Sequence, residues 1–125
     1  ITSTVRGSLP WHPSGSAFAG AGVTDKDATF SYHANWNAPG RWWVEVMSPA
    51  RRFRMCPIET VQVQNKGSVT WDDVDIDLSH EKKFKPGLYS MVETFLEETP
   101  SPELCTFNQL SQHFSTLQKI AGYKD

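Results

Sequence analysis

A chain of 125 residues with 21% charged side chains and a formal charge of −2 is long enough to remove roughly two thirds of its unfolded surface from water. That balance excludes an electrostatic drive toward nucleic acid or an anionic membrane, and no apolar run approaches the ~20 residues of a membrane-spanning helix. The two cysteines, Cys56 and Cys105, lack metal-ligand spacing and read as reduced thiols, which makes a cytoplasmic origin the expectation.

Ile1 to Leu9 reads as a strand of weak alternation ended by Pro10, and the absence of an initiator methionine raises the expectation that the chain was cut from something longer. Residues 10–22 are too rich in Pro and Gly for a regular element to be expected. They nevertheless carry Trp11, His12 and Phe18, and a long loop that holds aromatic groups often shapes a binding surface. Asp25-Lys26-Asp27 is a turn.

Tyr32 to Met47 then reads as two strands folded back at Ala38-Pro39-Gly40. Alternation puts Phe30, Tyr32, Ala34 and Trp36 on one face of the first strand, with Ser31, His33, Asn35 and Asn37 on the other. In the second, Trp42, Val44 and Val46 oppose Arg41, Trp43, Glu45 and Met47. A shared apolar face predicts Trp36 opposite Trp42 and His33 opposite Glu45, with both Trp36 and Trp42 buried. Pro39 fits the middle of that loop poorly.

Ser48 to Arg51 turns the chain into three further strand candidates, Arg52–Cys56, Thr60–Gln64 and Val69–Leu78, the second and third joined by a turn at Asn65-Lys66-Gly67. Arg51, Arg52 and Arg54, the only basic cluster, read as solvated strand-end charges. The period then changes. Leu88, Met91, Val92, Phe95 and Leu96 recur at helical spacing, predicting a helix over Pro86–Glu98 with Pro86 as its first residue, stopped by Thr99-Pro100-Ser101-Pro102. A second helix opens on Thr106 with Gln109 as its capping-box partner, carries Phe107, Leu110, Phe114, Leu117 and Ala121 as its stripe, and ends at Gly122. The class expected is α+β: one domain over 1–125, an open, mainly antiparallel sheet of five or six strands with two helices covering one face.

Chemistry is sparse. There is no phosphate loop, nucleotide fingerprint, zinc spacing or nucleophile elbow. His80 and His113 have the plain reading of surface residues. Asp73, Asp75 and Asp77 share a strand face at ~6.5 Å intervals, too far apart for one cation without loop ligands. Lys85 simply flanks Pro86.

Four stretches carry a resemblance: Arg-Gly-Ser-Leu-Pro-Trp-His-Pro-Ser-Gly at 6–15, Tyr-His-Ala-Asn-Trp-Asn-Ala-Pro-Gly-Arg-Trp at 32–42, Phe-Lys-Pro-Gly-Leu-Tyr at 84–89 and Leu-Cys-Thr at 104–106. In order and context they resemble the C-terminal domain of the Gfo/Idh/MocA oxidoreductases. The resemblance implies an open sheet with helices on one face, homo-oligomer formation through the exposed sheet face, and a parent enzyme that moves a hydride between NAD or NADP and a sugar, cyclitol or related polyol. The N-terminal Rossmann domain that would hold the nicotinamide is missing from this chain. So are the family's catalytic lysine segment and the helix with its His and Asp; Phe84-Lys85-Pro86 is not a counterpart. No catalytic residue is carried over, and the chain alone is expected to be silent and to bind no cofactor.

Trp11 and His12 are the first candidates for substrate contact, because they combine aromatic and polar groups in one loop. Asn35, Asn37 and Arg41, near the expected hairpin tip, come second, with a plainer role in satisfying turn backbone. Trp43, Glu45 and Met47 are the interface candidates. A rival reading is a free-standing carbohydrate-binding or scaffold module stacking ligands on Trp36, Trp42 and Trp43. A third, a small hydrolase using His33 and Glu45, rests on their expected pairing alone.

Overall fold

The computed structural model describes residues 1–97, 101–102 and 104–123, with Glu81 described in its backbone only. The fold is α+β and open, as expected, but the seven strands among the described residues divide into two antiparallel sheets of three and four. The chain forms two compact units, one of Ile1–Gly40 with the stretch from Cys105 onward, the other of Arg41–Leu104.

The first unit holds β1 (Thr2–Arg6), β2 (Ala17–Val23) and β3 (Thr29–Asn35), in the order β1-β2-β3. Strand β2 lies in the segment expected to be irregular. Its Ala-Phe-Ala-Gly-Ala-Gly-Val sequence has weak strand propensity, and neighbouring aromatic rings compensate. Ser3, Gly20 and Tyr32 stand in one cross-strand row. The Tyr32 ring lies across the bare glycine, and its hydroxyl meets Ser3 Oγ at 2.7 Å. A methyl group at Gly20 would fall 2.4 Å from the Tyr32 hydroxyl and 2.4 Å from the Thr2 carbonyl oxygen. Asp25-Lys26-Asp27 forms the expected turn, with Thr24 N–H donating to the Ala28 carbonyl and Asp27 at φ 60°.

The hairpin expected at Ala38-Pro39-Gly40 does not form. Strand β3 pairs with β2 along its whole length, from Ala17↔Asn35 to Val23↔Thr29, and Asn35 Oδ1 accepts the Asn37 backbone N–H at 3.0 Å, turning the chain out of the sheet. Trp36 and Trp42, expected to be buried against each other, are 56% and 75% exposed. His33 stands opposite Ala19 rather than Glu45.

The second unit is a meander of β4 (Val44–Met47), β5 (Arg51–Met55), β6 (Gln62–Asn65) and β7 (Asp72–Asp73). The turns expected at Ser48–Arg51 and Asn65–Gly67 are present, closed by Ser48 N–H to the Arg51 carbonyl at 2.8 Å and Ser68 N–H to the Asn65 carbonyl at 3.0 Å. The long strand expected over Val69–Leu78 shrinks to two residues, although Val74 N–H still reaches the Val61 carbonyl. Register places Val44, Val46, Phe53, Met55 and Val63 on one face and Glu45, Met47, Arg52, Arg54, Gln62 and Gln64 on the other.

Residues 79–83, expected to be a connection, form the short helix α1 (Ser79–Lys83), and α2 (Leu88–Leu96) follows. Gly87, at φ 75°, is the residue before α2, so Pro86 stands outside the helix rather than at its first position. Glu98, Thr99 and Pro100, named in the expected helix end and stop, lie outside the described residues. Helix α3 (Phe107–Ala121) belongs to the first unit. Its capping box is complete: Gln109 N–H donates to Thr106 Oγ1 at 3.3 Å, Thr106 N–H donates to Gln109 Oε1 at 2.8 Å, and Gly122 ends the helix in the left-handed region.

The expected two-helix cover is only partly realised. Helix α3 meets β1 and β2, whereas the element contacts of α2 are with α1. Among the described residues only Gly15 and Ser16 are buried, and no hydrophobic side chain is. The accessible surface of 10537 Å² exceeds the roughly 8,000 Å² that two independently folded proteins of half this mass would expose together. Both amphipathic helices therefore present uncovered apolar stripes, with Phe95 75% and Phe107 83% exposed.

Candidate functional site

The two buried residues among those described, Gly15 and Ser16, lie in the loop that carries Trp11 and His12. Ser16, 3% exposed, ties three strands' ends together: its N–H donates to the Arg6 carbonyl at 2.8 Å and its own carbonyl accepts from Trp36 N–H at 2.9 Å. Gly15 is buried because a side chain would not fit. A methyl group there would stand 2.2 Å from Val5 Cγ1 and 3.0 Å from the Phe18 ring. The loop's outer part is a tight turn in which Leu9 and His12 exchange both backbone hydrogen bonds, at 3.0 and 3.1 Å, with Pro10 and Trp11 at its tip. Pro10 pre-sets the backbone angle such a turn needs.

This scaffold gathers five rings. Trp11 meets His12 edge-on at 5.9 Å between centroids and Trp36 at 5.5 Å with the planes at 86°. His12 in turn meets Phe18 at 5.7 Å and Tyr123 at 5.2 Å. His12 Nδ1 lies 3.1 Å from the Gly15 carbonyl oxygen. A carbonyl only accepts, so Nδ1 carries the proton, and in the neutral ring Nε2 is an acceptor. Trp11, Trp36 and Tyr123 remain 65%, 56% and 53% exposed. The result is an exposed aromatic surface around a hydrogen-bonded imidazole, on a backbone tied together by Ser16.

The structure thus brings Trp11 and His12 together as the sequence suggests, and adds Trp36 and Tyr123, which sequence reasoning missed. Alternation assigned Trp36 to a shared apolar face, and Tyr123 lies beyond the last expected helix. Gly122 was the available signal. A helix stopped by a left-handed glycine redirects the chain at once, and the backbone of Gly122 sits against Val5.

Asn35 serves the turn described above, and Asn37 is exposed beside it. Arg41 belongs to the second unit, where its guanidinium stands 3.9 Å from Glu59, both exposed. Glu59 also lines an open groove of about 620 Å³ with Ile58, Ile76, Leu78, Lys82 and Pro86.

The interface candidates also lie in the second unit. Glu45 is held within its own sheet, accepting from Arg52 Nε at 2.9 Å and from a terminal nitrogen of the same guanidinium. On that face Arg54 donates to Gln62 Oε1 at 3.1 Å, Gln62 donates to Asp73 at 2.8 Å, and both guanidiniums lie over Trp71, Arg54 at 4.4 Å and Arg52 at 5.5 Å. Trp43 and Met47 are exposed. Among the described residues no group of three or more potential metal ligands occurs, and no helix is long and apolar enough to cross a membrane.

Among the described residues Asp77 is the one titratable group clearly displaced. Its Oδ1 accepts the Ser79 N–H at 2.9 Å, and that bond, then one from the Ser79 side chain, holds it below the ordinary aspartate value. It serves the start of α1. Comparison with family models, curated proteins and solved structures finds no match.

Proposed function

We propose that this chain is the substrate-side and oligomerisation part of a NAD(P)-dependent oxidoreductase acting on a sugar, cyclitol or related polyol. The observation that carries the substrate half is the ring cluster around His12. Exposed indoles stack on the apolar C–H faces of sugars, and a neutral imidazole acceptor takes a hydroxyl hydrogen, so the surface matches a ligand with alternating apolar and hydroxylated faces. The nicotinamide is supplied by a Rossmann domain outside these 125 residues, and hydride transfer is the chemistry it provides when bound. Here Trp11 and His12 bind and orient the substrate. The open apolar stripes and the surface excess support association with further protein, through the sheet of the second unit or the helices.

The test is polyol-dependent reduction of NAD or NADP by the encoded full-length protein, followed by nicotinamide absorbance. The reading requires turnover that rises in KM when Trp11 or His12 is replaced by Ala, and no turnover by the 125-residue chain alone. Turnover unaffected by either substitution contradicts it. The alternative, a free-standing carbohydrate-binding module, requires Trp36, Trp42 and Trp43 to be exposed on one face; all three are exposed, Trp36 in the first unit and Trp42 and Trp43 in the second. That reading is selected by sugar binding in a full-length protein that never reduces either nucleotide.

A further inference from the structure

We infer that Trp11 and Trp36 form the two walls of a stacking subsite that selects a saturated six-membered ring over an open-chain polyol, with His12 Nε2 accepting one ring hydroxyl. The inference rests on the polyol reading above and assigns it a specificity-determining residue, Trp36.

Three observations meet at this point. The two indoles stand at 86°, 5.5 Å apart, and both are more than half exposed. Two planes at a right angle form a corner, and a chair-shaped ring fills a corner with its apolar face on one wall and its edge on the other. An extended chain gains contact with one wall only. The main chain behind the corner is held: the backbone N–H of Trp36 donates to the Ser16 carbonyl at 2.9 Å, and Trp11 stands at the tip of the turn that Leu9 and His12 close. Finally, His12 touches Trp11, and its Nδ1 bond to Gly15 leaves Nε2 as the acceptor of the neutral ring.

The experiment is saturation-transfer NMR on the encoded full-length protein with myo-inositol and methyl β-glucopyranoside as ring probes and sorbitol as the open-chain probe. Affinities come from titration, and Trp36→Ala is compared with Trp36→Phe. The rings are expected to bind more tightly than sorbitol and to receive saturation on the C–H protons of one face. Trp36→Ala weakens ring binding roughly fivefold, as loss of one stacking partner requires, leaves sorbitol unchanged, and is partly rescued by Trp36→Phe. Hydrogen exchange of the β2 amides checks that the alanine variant keeps its fold. Equal binding of rings and sorbitol, or ring binding indifferent to both Trp36 variants, overturns the subsite and leaves the polyol reading standing. Failure of every probe to bind overturns both.

Discussion

Gly20 offers the sharpest test of how the first sheet is held. Replacing it by Ala introduces a methyl group 2.4 Å from both the Tyr32 hydroxyl and the Thr2 carbonyl oxygen. The tyrosine can swing aside, but only by giving up its 2.7 Å bond to Ser3. The backbone oxygen can move only with its strand. Overpacking of this kind costs ~1–3 kcal/mol, and the lost hydrogen bond adds ~1 kcal/mol. Reduced freedom of the unfolded chain returns ~0.4–1 kcal/mol. The expected result is a net destabilisation of about 2 kcal/mol, read by urea denaturation with indole fluorescence. Gly40→Ala is the control, because a methyl group there meets nothing within 4 Å, and its stability should stay level or rise by up to ~1 kcal/mol. Equal stability of Gly20→Ala and wild type would refute the argument that Tyr32 compensates for a bare glycine.

Thr106→Ala should destabilise α3 by ~1 kcal/mol by removing the oxygen that caps Gln109 N–H, seen as faster amide exchange in its first turn. Asp77 has a folded pKa below its unfolded one, so its contribution is present above the ordinary aspartate range and is lost as pH falls through the depressed value. The Ser79 amide resonance should therefore titrate with a midpoint below the ordinary aspartate value, and Asp77→Asn should abolish that titration. Trp43→Asp, by placing a charge on the proposed association surface, should shift the assembly toward monomer in sedimentation; an unchanged profile would count against that surface.

What sequence could and could not reveal follows from the range of each signal. The α3 cap and stop are written within a few residues of the helix ends, so Thr106, Gln109 and Gly122 were readable. So was the alternation of Phe53 and Met55 against Arg52 and Arg54, because period two survives in any sheet. Alternation reports which residues share a face and says nothing of which strand lies alongside. That is why β3 was assigned to the wrong neighbour. Strand β2 was hidden because the aromatic groups that stabilise it, Tyr32 and Phe30, come from another strand. The site was half legible for the same reason: Trp11 and His12 are adjacent in the chain, while Trp36 and Tyr123 reach them only through the fold.

The central claim is that the Ser16-anchored loop presents a sugar-binding surface. Amide and indole chemical shifts of the labelled 125-residue chain, followed during titration with myo-inositol, test it most directly. The account predicts saturable changes at Trp11, His12, Gly15, Trp36 and Tyr123, with an affinity on the order of millimolar, and none in Arg41–Leu104. Changes centred on the groove near Ile58 and Ile76, or none anywhere, would contradict it.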